Sequence, residues 1–232
     1  MKQYIRFFII IFLSVSSGCI LANDRKKSVI TIDPDHVNLS TKDFMTFYTR
    51  GSSLGKETLL MYVLGVSDAT EGKTWCGYNR INESTLYPTV LEYVRQQSVE
   101  KAHIRASTII AEALAKTFPC QNTSLSEKIP PQKSPVLHLM PGTFNLSGSD
   151  FFRFWQSDDP RDRRNAKIYL LGVEDASEGN IWCQYKTIKT VTLDELIYWH
   201  FKKLPREKLN QRAVTFILEE LSHYPCNKGD DK

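Results

Sequence analysis

Residues 62–78 read YVLGVSDATEGKTWCGY, and residues 169–185 read YLLGVEDASEGNIWCQY. Eleven of these seventeen positions are identical at a fixed offset of 107 residues. The same offset aligns Asp43-Phe44 with Asp150-Phe151, and Phe47 with Phe154. Phe118-Pro119-Cys120 answers Tyr224-Pro225-Cys226 at an offset of 106, so one residue is missing there. Self-similarity at a fixed spacing marks a duplicated structural unit. The chain is therefore read as two copies of one module, near residues 37–120 and 144–226. Between them, residues 121–143 begin QNTSLSEKIPPQKSPV, rich in Pro, Ser and Lys and without helical period, and read as a partly extended linker.

Apolar residues recur at helical spacing through each copy. In the first, Phe44, Phe47 and Tyr48 follow Ser40 and Asp43, which fit a helix-capping pattern. Leu59, Tyr62, Val63 and Val66 form a second stripe closed by Gly72. Leu86, Val90, Leu91 and Val94 form a third, with Pro88 placed near its first turn, and Ile104, Ile110, Ala111, Leu114 and Phe118 a fourth. The second copy repeats the scheme through Phe151 and Phe154, Tyr169 and Val173, Leu193 and Ile197, and Val214, Ile217 and Leu221, with Gly179 as the second stop. No convincing period-2 strand interrupts the pattern. The predicted fold is all-α, with two tandem bundles of about four helices each. Gly65 and Gly172 fall inside the second helix of each copy. A mid-helix Gly costs about 1 kcal/mol relative to Ala, so these two are expected to permit close helix contact.

Met1–Arg6 carries two positive charges, Phe7–Val15 is an apolar run, and Ser16-Ser17-Gly18 follows. That order is the signature of a secretory signal peptide, expected over 1–22 with a cut after Ala22. The run is too short to span a bilayer as a helix. Ser16-Ser17-Gly18-Cys19 also loosely resembles a lipoprotein box, which would leave a lipid on Cys19. Either outcome removes Cys19 from the folded thiols and leaves Cys76, Cys120, Cys183 and Cys226 in an oxidising compartment. Four Cys allow three pairings. Cys76 lies beyond the second helix and Cys120 beyond the fourth, ends that a bundle brings together. The repeat favours Cys76–Cys120 and Cys183–Cys226. Zinc is the competing reading, but no Cys-x-x-Cys or Cys-x-x-His spacing exists.

The formal net charge is +4, and losing Lys2 and Arg6 leaves 4 − 2 = +2. That is too weak to imply a nucleic-acid partner. Asp68 and Glu71, like Asp175 and Glu178, are three apart on a helix and could share one face, as a general acid–base pair does. No nearby His or further acid completes such a site, and a polar helix face is the plainer reading. None of the five His recurs between copies. Gly-x-Ser-x-Gly, the phosphate loop and His-Glu-x-x-His are absent. No catalytic residue, metal ligand or cofactor is assigned. Gly51–Gly55 reads as a flexible turn and Arg161–Arg164 as a solvated loop. Trp75 and Trp182, each preceding a Cys, are expected to pack on the disulfides.

The string Tyr62, Leu64, Gly65, Val66, Asp68, Ala69, Gly72, Trp75, Cys76 and Phe118-Pro119-Cys120 resembles the Rap/Tai family of type VI secretion immunity proteins. Its second occurrence runs through Tyr169, Leu171, Gly172, Val173, Asp175, Ala176, Gly179, Trp182, Cys183 and Tyr224-Pro225-Cys226. The resemblance implies a small, exported, disulfide-bonded helical protein of the periplasm. It also implies a partner, an exported cell-wall hydrolase (a peptidoglycan amidase effector), whose cleft the protein plugs. Members usually carry one module and often act as dimers, so the fused chain is expected to form an internal pseudo-dimer. The rival reading is a non-catalytic envelope scaffold of the same fold.

Loops that differ on a shared scaffold are where recognition tends to sit. The segments after the first Cys of each copy, 77–84 and 184–191, are polar and differ between copies. Tyr78, Asn79, Arg80 and Asn82 in the first, and Tyr185, Lys186 and Lys189 in the second, are the candidate partner contacts.

Overall fold

The structure, a computed structural model, describes residues 31–78, 81–120, 136–183 and 185–226. The expected signal segment with Cys19, most of the linker, and Asn79 and Arg80 lie outside the described residues. The first repeat comprises α1 (Thr41–Arg50), α2 (Ser53–Thr70), α3 (Glu83–Gln97) and α4 (Ala106–Thr117). The second comprises α5 (Gly148–Trp155), α6 (Pro160–Ser177), α7 (Thr190–Lys203) and α8 (Ala213–Leu221), with a 3-10 turn at Lys208–Asn210. Among the described residues there is no β-strand, and the all-α expectation holds.

The ends of the helices follow from local chemistry. Ser40 Oγ accepts the Asp43 N–H (3.1 Å) and Ser147 Oγ accepts the Asp150 N–H (3.1 Å), capping α1 and α5. Gly72 and Gly179, at φ of +78° and +89°, adopt the left-handed conformation that stops α2 and α6. Their N–H groups donate to Trp75 O and Trp182 O at 2.8 Å. That turn folds each indole back under its own helix. Trp75 Nε1 donates to Ser67 O (3.2 Å) and Thr70 Oγ1 (3.1 Å), and Trp182 Nε1 to Glu174 O (3.3 Å) and Ser177 Oγ (3.1 Å). Both indoles are fully buried and close the last turn of their helix. The next residue of each copy is bridged, Cys76 to Cys120 and Cys183 to Cys226, with sequence separations of 44 and 43 residues.

The helices α2 and α6 form the most extensive helix contact, and they cross at their glycines. A Cβ on Gly65 would lie 2.0 Å from Tyr169 O, and one on Gly172 2.3 Å from Tyr62 O. Each glycine therefore seats directly against the other helix's backbone. Around this crossing a single apolar core runs through both repeats, including Phe44, Leu59, Leu86, Ile110, Phe151, Ile168, Phe201 and Ile217.

Four local expectations are corrected. Pro88 is the sixth residue of α3 rather than part of its first turn; it and Ser84, whose carbonyl it leaves unbonded, are exposed to water. Gly55 is inside α2, capped by Ser52, rather than in a flexible turn. Arg161–Arg164 open α6: Arg161 grips Glu57 with two bonds (2.9 and 2.6 Å), and buried Asp162 accepts the Leu139 N–H (3.0 Å). The last part of the linker is packed, since Leu139 is buried, Tyr87 Oη donates to Pro141 O (2.5 Å) and Asn165 Nδ2 donates to Leu139 O (2.8 Å).

Gly65→Ala and Gly172→Ala are each expected to destabilise the whole chain by about 3 kcal/mol, because backbone must shift to admit a methyl. Urea unfolding should remain a single transition, and loss of one repeat alone would contradict the shared core. Opening one disulfide by Cys120→Ser and Cys76→Ser together is expected to cost about 4 kcal/mol, read from the same titration.

Candidate functional site

Three residues beyond each crossing glycine stands an aspartate, and both are buried. Asp68 accepts hydrogen bonds from Tyr169 Oη (2.7 Å), from Tyr78 Oη and from the backbone N–H of Asn145. Asp175 accepts from Tyr62 Oη (2.8 Å), Tyr185 Oη (2.8 Å), Asn38 N–H (2.9 Å) and Leu39 N–H (3.2 Å). One tyrosine of each set comes from the aspartate's own repeat and one from the other. The backbone donors also come from the other repeat, because Asn38 and Asn145, at φ of +57° and +56°, turn the lead-in toward the carboxylate.

The neighbouring glutamates make a second reciprocal pair. Arg105 Nη2 meets Glu178 Oε2 at 2.6 Å, and Arg212 Nη1 meets Glu71 Oε2 at 3.0 Å. The same guanidinium groups donate to the exposed carbonyls at the opposite helix end: Arg105 to Asp175 O (3.0 Å) and Glu178 O (3.1 Å), Arg212 to Asp68 O (3.1 Å). Cations at a helix C-terminus satisfy its orphan carbonyls and its dipole. Asp68 and Glu71 thus serve different partners and do not converge on one open site, and the same holds for Asp175 and Glu178.

Burial pushes the Asp68 and Asp175 carboxyls above their ordinary range, against the opposing pull of their tyrosine donors and the nearby arginines. Burial likewise lifts Tyr62, Tyr78, Tyr169 and Tyr185, which stay neutral and donate. The symmetry breaks at Glu174. Where the first repeat has Ser67, the second has Glu174, fully buried with Oε1 lacking any hydrogen bond. Burial, with Asp194 and Asp175 beside it, holds Glu174 well above the usual carboxylate range. Asp194 is itself raised to about 6 by burial, although Lys167 Nζ lies 3.5 Å away.

The expected contact loops divide in two. Tyr78 is buried and Tyr185 half-buried, and their hydroxyls donate to Asp68 and Asp175 because those buried carboxylates require donors. Asn82 is exposed and caps α3, Lys186 is exposed, and exposed Lys189 precedes α7. Asn38, Arg105, Asn145 and Arg212 were missed in the sequence. Their signal was present, since Asn38/Asn145 and Arg105/Arg212 both keep the 107-residue offset. Metal-ligand types gather at His138, Asp159 and Asp162, where Asp159 Oδ1 already accepts the Arg161 N–H (2.8 Å) and Asp162 Oδ2 meets His138 Nδ1 at 3.2 Å. Together with the Leu139 bond, these contacts seat the linker's end on α6.

A family model described as Rap1a immunity proteins matches residues 40–120 and, a second time, residues 147–226. No curated protein matches the chain.

Asp68, Glu174, Asp175 and Asp194 all titrate above their ordinary values when folded, so the folded state holds more protons than the unfolded one. Their contribution to stability is then fully present below the unfolded pKa values and is lost as pH rises through the folded ones; for Asp194 that window runs from 3.8 to about 6. The urea midpoint is expected to drop between about pH 4 and about pH 7. Glu174→Met removes the orphaned acid and is expected to gain about 1–3 kcal/mol at neutral pH with a shallower slope. A flat midpoint in wild type across that range would contradict the assignment.

Proposed function

The chain belongs to the Rap1a immunity protein family, and from that membership we propose that it binds and inhibits a peptidoglycan amidase delivered by the type VI secretion system. It acts in the periplasm, by occlusion and without catalysis of its own. The observation that carries this reading is the double family match laid over a disulfide-bridged frame whose buried acids serve the frame itself. Two bridged cysteine pairs suit an oxidising compartment, and the charged, apolar, small-residue order of residues 1–18 supplies a route to it. Among the described residues no helix is long and apolar enough to cross a membrane.

The fused repeats act as an internal pseudo-dimer. Support comes from the exchange of equivalent bonds across the crossing: Tyr62 to Asp175 and Tyr169 to Asp68, Arg105 to Glu178 and Arg212 to Glu71. An isologous dimer interface has this property, the same patch meeting itself. Here both patches belong to one chain, so the surface that would drive self-association is already consumed. Outward groups that remain available for recognition include those of the post-cysteine segments, Asn82, Lys186 and Lys189, with Asn79 and Arg80 beside them in sequence.

The tagged mature protein, used as bait in envelope extract of cells producing the effector, is expected to retain a wall amidase at near-equal stoichiometry. The retained enzyme should lose digestion of purified sacculi when the protein is added in equimolar amount. Undiminished digestion would sink the inhibitor reading. Light scattering of the free protein is expected to give the mass of one chain, and a dimer mass would argue against the pseudo-dimer.

A further inference from the structure

We propose that recognition is one-sided: the outward face of α7, centred on Trp199, docks the effector, and the equivalent face of α3 does not. This rests on the inhibitor reading and deepens it. Val191, Glu195, Trp199 and Lys202 lie four, four and three residues apart and so form one stripe along α7. Trp199 is 52% exposed and Val191 60%, two of the few large apolar side chains left in water. Lys202 Nζ stands 4.7 Å from the Trp199 ring centroid and 6.0 Å from that of Tyr198, holding a cation over an open aromatic surface.

A groove borders α7 through the contact of Gln156 with Tyr198. Gln156 Nε2 donates to Tyr198 Oη (3.0 Å), and Gln156, Phe152, Arg153, Arg206 and Leu209 line an open groove of about 810 Å³ beside α7. At the positions 107 residues earlier, the first repeat has Ser84, Pro88, Glu92 and Arg95 along α3, and Thr46 and Val99 where the groove has Arg153 and Arg206. Glu92 and Arg95 there satisfy one another through two bonds of 2.7 and 2.9 Å. The shared scaffold thus presents an aromatic and basic stripe on α7, whereas the matching stripe of α3 carries no aromatic ring and its Glu92 and Arg95 pair with each other, with Val99 exposed beyond the helix end.

An exposed Trp with a lysine held over its ring fits a partner of defined chemistry: an apolar pocket with an acidic rim on the effector protein. Trp and Arg are the residues that most often anchor interfaces. Lys189, Lys202, Lys203 and Arg206, set against Glu195 and Asp158, give this face a positive balance that an acidic rim complements.

The test is calorimetry with the amidase recovered by the protein as bait, using the full mature chain. Trp199→Glu is expected to weaken binding about 30-fold or more, and Lys202→Glu to weaken it in the same direction. Glu92→Ala should leave affinity unchanged, and the stoichiometry should be one effector per chain. Thermal unfolding of Trp199→Glu should match wild type, because the ring packs largely outside the core. A folded Trp199→Glu protein that binds within about threefold of wild type, or two effectors per chain, would overturn the one-sided face while leaving the inhibitor reading standing. A wild-type chain that retains no amidase would bring down both.

Discussion

The close approach of α2 and α6 governs the rest of the structure. At Gly65 and Gly172 each helix rests on the other's backbone, with no side chain between. Because the helices run in opposite senses there, the residue three before one glycine faces the residue three after the other. That register sets Tyr62 against Asp175 and Tyr169 against Asp68. An aspartate so placed is far from water and must be met by donors. The tyrosines, the inverted asparagine turns and the arginines at the helix ends are the answer to that requirement. A methyl at either glycine would displace not one contact but the alignment of all of them.

Much of this was legible in advance. The 107-residue echo of the Gly–Asp–Gly–Trp–Cys string gave two helical repeats. The positions of Cys76 and Cys120 beyond alternate helices gave the bridges. The mid-helix glycines announced a close contact, although not whose. What could not be read was the direction of each polar bond. Tyr78 is polar, lies in a loop and sits beside a variable segment, and so looks like a recognition residue; only the three-dimensional position of Asp68 shows it facing inward. The same pattern of residues serves equally well whether a carboxylate is satisfied within its own repeat or by the other. Periodicity cannot distinguish those cases, because both bury the same side chains. Pro88 was misplaced by a turn because helix starts are set by caps such as Asn82, which composition marks only loosely.

The differences between the repeats are as informative as the echo. In a dimer of identical chains every substitution appears twice, once on each side of the axis. Joining the copies lifts that restriction. Ser67 and Glu174 occupy equivalent positions with opposite consequences, one bonding Val63 O and the other leaving a buried carboxyl oxygen, Oε1, unbonded. Glu92 and Trp199 likewise occupy one scaffold position on two different surfaces. Among the residues the repeats share, Tyr62 and Tyr169, Asp68 and Asp175, and Arg105 and Arg212 join one repeat to the other, whereas the outward residues answer only to their own side.

The exchange of lead-ins between repeats also imposes an order in time. A chain synthesised from its N-terminus presents the first repeat before the second. At that moment Asn38 and Leu39 have no carboxylate to meet, Asp68 lacks Tyr169 and Asn145, and Glu71 lacks Arg212. The Cys76–Cys120 bond joins two residues of the first repeat, whereas the apolar side of α2 is covered by α6 of the second. The acids of the first repeat are thus fully met only when the last segment of the chain is in place.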